Sequence, residues 1–493
     1  MRKLTVLSMA CVMVLSVHAQ TLRINIGNVT YAYPASQVGD MVYESGTTLS
    51  VCGKSFLLSD VNSMTVDQSA VADNTVEVAY NGNVAKVVVS GNVAKYLTVD
   101  IEGAHVSVVA DAGLPEKVTY HLSGTSTDGS FYMSGETGIA LMLEGVSLTN
   151  PDSAAINIQN GKKINVVLAS SSSNFLSDGL THVTDDGSDA HKAAFYIDGH
   201  SSWSGNGSLT IAGNVKHAFF SDEYTLFEAE LGNVTVSGAK SDGLHVNQYF
   251  QMQGGTVVVN AEGDGIDVGA KKSDKENNGN MLLEGGSLTV ATTGAATKAL
   301  KCDNDMYVSG GVIIASTSGD GVFESEENDV SSCAAVKCGG AFSMSSGTLS
   351  LTSTGAGGKG INATGEVVVS GGTMTVVTTG SVYTYNSELD SKPHGVKSDT
   401  NITLSGGEIL VCASSDSGCA FKTDLNVFTN GATMMGIGDK ATTGSASSTH
   451  GSKKYSGVKV QGGTTLSYDG VSFLIPSIYN NSKAKVIVSS PSM

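Results

Sequence analysis

The middle of this chain carries several aspartates that are each followed by glycine and an aliphatic residue. These segments begin at Asp242, Asp264 and Asp320, and further carboxylates follow them closely. Carboxylate oxygens gathered from neighbouring turns are ligands that Ca²⁺ prefers in proteins. The pattern predicts calcium sites, with the candidate ligands Asp242, Asp264, Asp267, Asp274, Asp320, Glu324 and Glu326. The alternative is that each aspartate caps a turn through its own backbone, beside solvated acidic loops.

Tyrosines and lysines at outward or loop positions near these acids are candidates for contact with a ligand. Aromatic rings offer a large apolar surface with a polar handle, and lysines offer a positive charge on a flexible stem. The candidates are Tyr249, Tyr307, Tyr383, Tyr385, Lys298 and Lys301.

These residues belong to a repeat. Six stretches of nineteen residues align without a gap, and they begin at Ser241, Thr297, Cys333, Gly358, Pro393 and Gly418. Apolar or small residues recur at the fourth and sixth, the tenth and twelfth, and the seventeenth and nineteenth positions. Pairs spaced by two are typical of a strand with one buried face. Each repeat therefore predicts three short strands, and a glycine pair before the third strand suits a bend.

Three short strands cannot enclose a core alone, but stacked repeats can, because each strand pairs in parallel with its counterpart one coil away. We expect an all-β protein built as a parallel β-helix, with about 22 to 25 residues per coil and loops inserted in some coils. Leu300, Ile361 and Val396 should then lie above one another in a common interior. The predicted parts are a signal peptide over 1–19, a small N-terminal β module over 20–80, the β-helix over 81–436 and a C-terminal β cap over 437–493.

Some positions in the repeat allow two interpretations. Either Asp320 or Cys333 can open its coil. His217 and His394 share the coil-opening position of Asp242, but they show no spacing typical of a metal site. Trp203 is the only tryptophan, and core packing is favoured for it over a role in stacking on sugar rings.

The N-terminal segment and the charge of the chain limit its location and partners. Two early cations, an apolar run and a small-residue cleavage site are typical of a signal peptide, so we expect export to the periplasm, the cell surface or the medium. No later stretch is long enough to span a bilayer. The formal charge of −18 argues against nucleic acids and anionic membranes as partners, and is compatible with cation binding.

At the repeated aspartate-glycine-aliphatic segments and the glycine-pair strands, this chain resembles a family of secreted bacterial carbohydrate-binding β-helix proteins. The resemblance covers most of 85–436. It implies a right-handed parallel β-helix that binds calcium and plant cell-wall polysaccharide, with a shape similar to that of pectate lyases. Calcium is carried over to Asp242, Asp264, Asp267 and Asp320 and to nearby loop acids. Lys359, His394 and Cys419 depart from the pattern in later coils.

Together these features predict non-catalytic binding of an extended polysaccharide with calcium support. An acidic polysaccharide is one candidate for this ligand. One alternative is a cell-surface adhesin or structural solenoid with protein partners at the cell surface. The other is a polysaccharide lyase of the pectate type that uses a lysine base. Lys298, Lys301, Lys359 and Lys397 keep this last alternative open.

Overall fold

The computed structural model describes residues 20–39, 41–179, 191–272, 276–448 and 451–493. These residues form an all-β protein with large parallel sheets and a short 3₁₀ turn at Ala94–Tyr96. Within them, no helix is long and apolar enough to cross a membrane. The predicted signal peptide and Asp274 lie outside the described residues.

One parallel sheet contains a strand from each coil. Its neighbours follow the order of the chain, and only the first two strands pair antiparallel. The fourteen strands are Leu97–Glu102, Ala104–Ala110, Gly129–Ser134, Ile156–Gln159, Ala193–Ile197, His217–Ser221, Leu244–Asn247, Ile266–Gly269, Lys298–Cys302, Ala334–Cys338, Lys359–Ala363, Val396–Ser398, Cys419–Thr423 and Lys440–Thr442.

The other strands of each coil form two further parallel ladders, which the long strand Ile139–Asn150 joins because it pairs with the first member of both. The first ladder is Lys163–Leu168, His200–Ser204, Thr225–Phe227, Tyr249–Met252, Asn280–Leu283, Met306–Val308, Phe342–Met344, Val367–Val369, Ile402–Leu404, Asn426–Phe428 and Ser445–Ser447. The second is Ser173–Asp178, Ser208–Gly213, Asn233–Ala239, Thr256–Ala261, Ser287–Thr292, Val312–Thr317, Thr348–Ser353, Thr373–Thr378, Glu408–Cys412 and Thr433–Gly438.

The core lies between the fourteen-stranded sheet and the two ladders. Leu300 pairs with Val336, Val336 with Ile361, and Ile361 with Val396. All four side chains are fully buried in one continuous cluster, so the predicted stacking of these positions is confirmed. Trp203 is also buried, as predicted, and its Nε1 donates to Ser201 Oγ at 2.9 Å.

The glycine pair before the third strand does provide a bend. Its second member has a positive φ in several coils, including Gly255 at 87° and Gly407 at 84°. Only glycine adopts this conformation without a steric cost. The repeat therefore needs glycine at this position for a backbone reason.

Asp320 does not open a coil. The strand Ala334–Cys338 continues the fourteen-stranded sheet, so the segment at Cys333 opens the coil and Ala334 pairs with Lys298. Residues after Asp320 instead form an inserted antiparallel hairpin, Val322–Glu324 with Asp329–Ser331. A second inserted hairpin, Tyr383–Thr384 with Asp390–Ser391, packs beside the first.

Antiparallel pairs occur at both ends of the stack. Parallel pairs remain among the N-terminal strands, because Val118–Ser126 pairs in parallel with both Thr75–Asn81 and Ile139–Asn150. The N-terminal strands are Thr21–Ile26, Val29–Pro34, Val42–Glu44, Thr48–Val51, Lys54–Leu57, Ser63–Asp67, Thr75–Asn81, Val84–Ser90 and Val118–Ser126. The C-terminal strands are Lys453–Val460, Thr465–Tyr468, Val471–Leu474 and Asn481–Ser489. Parallel pairing continues to Ser447, and Asn481–Ser489 then covers Thr433–Gly438 in the antiparallel direction.

Candidate functional site

Outward side chains of the fourteen-stranded sheet form a continuous row. Their neighbours Leu244, Ile266 and Leu300 are fully buried, so the residue after each of them faces away from the core. Register pairs place these outward residues beside one another from coil to coil. We call this set the outer row: Phe220, His245, Asp267, Lys301, Lys337, Asn362, Lys397 and Lys422.

A second set lies three residues before the outer row, where each coil enters the sheet. We call it the opening column: His217, Asp242, Asp264, Lys298, Ala334, Lys359, His394 and Cys419. Glycine follows Asp242 because a Cβ atom at Gly243 would lie 2.2 Å from Val259 Cγ1. The aspartate-glycine pattern thus marks a position at the edge of the sheet where two strands of one coil lie close together.

The outer row and the opening column meet in a group of acids around Lys301, the acidic end. Lys301 Nζ lies 3.1 Å from Asp264 Oδ2 and 3.0 Å from Asp267 Oδ2. His245 Nδ1 lies 2.9 Å from Asp242 Oδ2 and 3.6 Å from Asp267 Oδ2. Three of the seven candidate calcium ligands are therefore brought together, with a lysine and a histidine among them.

Two of these carboxylates also cap the backbone of the next coil. Asp242 Oδ1 accepts the N–H of Asp264 at 3.0 Å, and Asp264 Oδ1 accepts the N–H of Lys298 at 2.7 Å. Each aspartate uses one oxygen to join successive coils and leaves the other for side chains. The caps therefore differ from the predicted alternative, in which an aspartate caps its own turn.

Charge is retained at the acidic end despite burial. Burial alone would raise the pKa of Asp242, but hydrogen bonds from two neighbouring histidines outweigh it and hold the pKa well below its usual value. Burial likewise opposes the charge of Lys301, but attraction to Asp267 and Asp264 outweighs it and raises the pKa. The pKa of Asp267 is raised, chiefly by burial. Lys301 consequently stays protonated and neutralises part of the acidic end.

The remaining lysines of the outer row, with Asn362 between them, form a basic end. Lys397 and Lys422 each contact the aspartate two residues later. Lys337 Nζ instead donates to Thr364 Oγ1 at 3.4 Å. Burial, followed by repulsion from Lys397, lowers the pKa of Lys337. Unlike Lys397 and Lys422, the half-buried Lys337 thus donates to a hydroxyl group and not to a carboxylate.

Lys359 of the opening column is buried behind this end. Its Nζ atom lies 2.6 Å from Ser391 Oγ, 2.7 Å from Ser332 Oγ and 3.1 Å from the Gly357 carbonyl oxygen. Both serines belong to the inserted loops that contain the two hairpins. Lys359 therefore ties both loops to the sheet.

Comparison with known proteins agrees with a carbohydrate ligand. The model of the family of carbohydrate-binding domain-containing proteins matches residues 102–357 and 295–441. The chain belongs to this family. No curated protein sequence matches this carbohydrate-binding domain protein. Among solved structures it is similar to the polysaccharide lyase-like protein from C. thermocellum (gadolinium derivative), with 21% identity, 55% of this chain and 96% of that chain covered, and a TM-score of 0.44.

The outer candidate acids lie apart from the opening column of this carbohydrate-binding domain protein. Asp320 Oδ1 accepts the N–H of Ala356 at 2.7 Å, so it caps the next coil as Asp242 does. Glu324 and Glu326 are exposed on the first inserted hairpin. Of the acids carried over from the family resemblance, Asp320 therefore belongs to an insertion and not to the coil-opening set.

The four candidate tyrosines occupy separate places. Tyr249 stacks on Tyr224 with ring centroids 4.6 Å apart, and Tyr385 stacks on Phe323 at 3.8 Å, so each has one face covered. Tyr307 is 39% exposed, and its hydroxyl donates to Asp305. Tyr383 is half-buried beside Gly321.

The two candidate lysines lie in different sets. Lys301 is in the outer row, whereas Lys298 is in the opening column. Lys298 Nζ contacts Ser331 Oγ at 3.3 Å.

Sequence reasoning missed the outer row as a unit and the meeting of two histidines with Asp242. The signal was present in the fifth column of the aligned repeat, between two apolar columns. That column reads His245, Lys301, Lys337, Asn362, Lys397 and Lys422. A polar column that is mostly cationic in an acidic chain marks one outward face.

Proposed function

We propose that the protein binds an extended acidic polysaccharide along the outer row, without catalysis. The observation that carries the proposal is a row in which four of five neighbouring coils carry a lysine, in a chain whose formal charge is −18. The lysines are Lys301, Lys337, Lys397 and Lys422, and Asn362 lies between the second and the third. Membership of the carbohydrate-binding domain family supports a glycan as the ligand. The clustered lysines support an acidic one, because they attract anions locally against the repulsion of the whole chain.

The spacing of the row suits a polymer better than a small molecule. Parallel strands lie about 4.8 Å apart, which is close to the length of one sugar ring in an extended glycan. Lysine side chains are flexible and carry a compact charge, so they tolerate small mismatches between the two repeats. A linear chain with carboxylates on successive sugars therefore fits the row better than an isolated acidic sugar.

We further propose that the coils wind as a right-handed parallel β-helix and that the protein is exported. Parallel pairing of each strand with its counterpart one coil later supports the winding, and right-handed crossover connections predominate in parallel sheets. The early cations and apolar run of 1–19 support export. Polysaccharides outside the cell would then be accessible to the outer row.

Calcium support is proposed for the carboxylates of the acidic end and the nearby loops. Asp242, Asp264 and Asp267 supply hard oxygen ligands within one region. Lys301 already bridges two of these carboxylates, so Ca²⁺ would compete with its ammonium group. Binding of polygalacturonate should be measured with added Ca²⁺ and with EDTA. Equal affinity under both conditions would remove calcium from the proposal.

The main test is a comparison of two double variants by isothermal titration with polygalacturonate. Lys337→Gln with Lys397→Gln removes two charges from the row. Lys459→Gln with Lys485→Gln removes two exposed charges from the C-terminal cap. Charge-assisted hydrogen bonds contribute about 1.5–3 kcal/mol each, so the row variant should bind at least tenfold more weakly. Equal affinities of the two variants would refute the row as the binding surface.

A lysine-dependent lyase is the second candidate function, and one observation favours it. A general base must be neutral to accept a proton, and the pKa of Lys337 is lowered by burial and by Lys397. Incubation with pectate would reveal a lyase through ultraviolet absorbance of unsaturated uronate products. Product formation that disappears in Lys337→Gln would establish this function, whereas no absorbance from the wild type would exclude it for that substrate.

A further inference from the structure

Two histidines and one aspartate converge beside the acidic end. Asp242 Oδ2 lies 3.2 Å from His217 Nδ1 and 2.9 Å from His245 Nδ1. Within the described residues, these three side chains form a group whose possible ligand atoms all lie within 4.8 Å of one another. His217 and Asp242 are buried, and His245 is half-buried. The group lies on two successive coils, with His245 in the outer row.

The separations match those between ligands of one metal ion. Zinc–nitrogen and zinc–oxygen bonds are about 2.0–2.2 Å long. With angles between those of an octahedron and a tetrahedron, two ligand atoms on one ion are about 2.9–3.5 Å apart. The two measured separations from Asp242 Oδ2 fall in this interval. The ligand atoms of the two histidines lie within 4.8 Å of each other, so an ion would draw these two rings together around Asp242 Oδ2.

Neighbouring groups hold the three side chains in place. The rings of His245 and Phe220 stack with centroids 4.9 Å apart, and the rings of His217 and His245 lie 4.8 Å apart. Asp242 Oδ1 is occupied by the N–H of Asp264, which leaves Oδ2 to face the histidines. Contacts of this kind to the far side of a ligand fix its orientation and strengthen metal binding.

The nature of the ligand atoms selects the ion. Imidazole nitrogens suit zinc, copper, nickel and iron, whereas calcium and magnesium prefer sites made only of oxygen. Binding through His217 Nδ1 would cost one weak contact, the N–H of Asp242 at 3.2 Å.

We propose that His217, Asp242 and His245 form a binding site for a divalent transition metal ion of the zinc class. Three protein ligands leave at least one coordination position open on a four-coordinate ion. The site shares Asp242 with the proposed calcium role and differs from it in its two imidazole ligands. His245 also lies in the outer row, so Zn²⁺ binding is measured without glycan and glycan binding is measured on the metal-free protein.

Zinc titration of the untagged, metal-free protein tests the proposal. The wild type should bind one equivalent of Zn²⁺, and His245→Ala should weaken binding at least tenfold, because it removes a direct ligand. His121→Ala is the matched control, since His121 Nδ1 contacts a single carboxylate, Glu144 Oε1, at 2.9 Å. Equal Zn²⁺ affinity of the wild type and His245→Ala would overturn the proposal.

Two measurements on the wild type keep the proposal testable even if His245→Ala does not fold. Co²⁺ should give visible ligand-field absorption that Zn²⁺ displaces and excess Ca²⁺ does not. Zn²⁺ should also raise the melting temperature, because an ion that binds only the folded chain stabilises it. Absence of both effects would refute the site even if His245→Ala did not fold.

Discussion

Burial of Lys359 predicts that the stability of this protein rises with pH above neutrality. Burial, followed by repulsion from Lys397 and two further lysines, lowers the pKa of Lys359 from 10.5 to about 7. The unfolded chain therefore binds the proton more tightly than the folded chain between these two values. Below pH 7 the group destabilises the fold, and this penalty disappears as the pH rises from about 7 towards 10.5.

The size of the effect follows from the two pKa values. Each pKa unit corresponds to about 1.36 kcal/mol, so complete loss of the penalty is worth roughly 4–5 kcal/mol. Between pH 6 and pH 10 the expected gain is about 3–4 kcal/mol, because the unfolded chain is still largely protonated at pH 10. Lys359 is 7% exposed, so solvent screening reduces this value little.

The perturbation is Lys359→Met, which removes the titrating amine and keeps a long apolar side chain. Urea unfolding at pH 6 and pH 10 should show the wild type gaining about 3–4 kcal/mol relative to this variant. Lys459→Met is the control, because Lys459 is exposed and its removal should not change the pH dependence. An identical pH dependence for wild type and Lys359→Met would show that three hydrogen-bond acceptors keep the amine charged.

Three further outcomes are expected. Raising the salt concentration from 50 to 500 mM should weaken polygalacturonate binding several-fold, because ions screen an exposed lysine row; an unchanged dissociation constant in a titration series would contradict charge-based binding. Gly243→Ala should lower stability by about 1–3 kcal/mol through overpacking against Val259, whereas Gly238→Ala, with open space around the added methyl, should unfold at nearly the wild-type urea concentration. Trp203→Ala should cost about 3–5 kcal/mol in the same assay, because it empties a fully buried site; a loss below 1 kcal/mol would contradict its role in the core.

The sequence predicted the all-β class and the parallel stacking of the strands because apolar pairs report directly on the period of a strand. The stacking of Leu300, Ile361 and Val396 did not depend on loop lengths, because these residues share one column of the aligned repeat. The sequence left the coil opening ambiguous between Asp320 and Cys333, because an inserted hairpin reproduces the local aspartate-glycine-aliphatic pattern. Only pairing of the following strand, which begins at Ala334, distinguishes an insertion from a coil.

The candidate site was harder to predict than the fold. Convergence of His217 with Asp242 and His245 depends on which rotamers two coils adopt together, and no spacing along the chain reports it. The carboxylates of Asp264 and Asp267 were recognised, but Lys301 between them was treated as a separate ligand contact. An ion pair across coils becomes visible only when the strands are placed in register.

The outer row also has a length that can be counted. Each coil contributes one outward side chain, and inserted hairpins leave this contribution unchanged because they emerge between the strands. Adding or removing a whole coil would therefore change the footprint on a polymer by one strand spacing, about 4.8 Å. Related chains with different numbers of coils would thus bind glycan segments of different lengths through the same kind of contact in each coil.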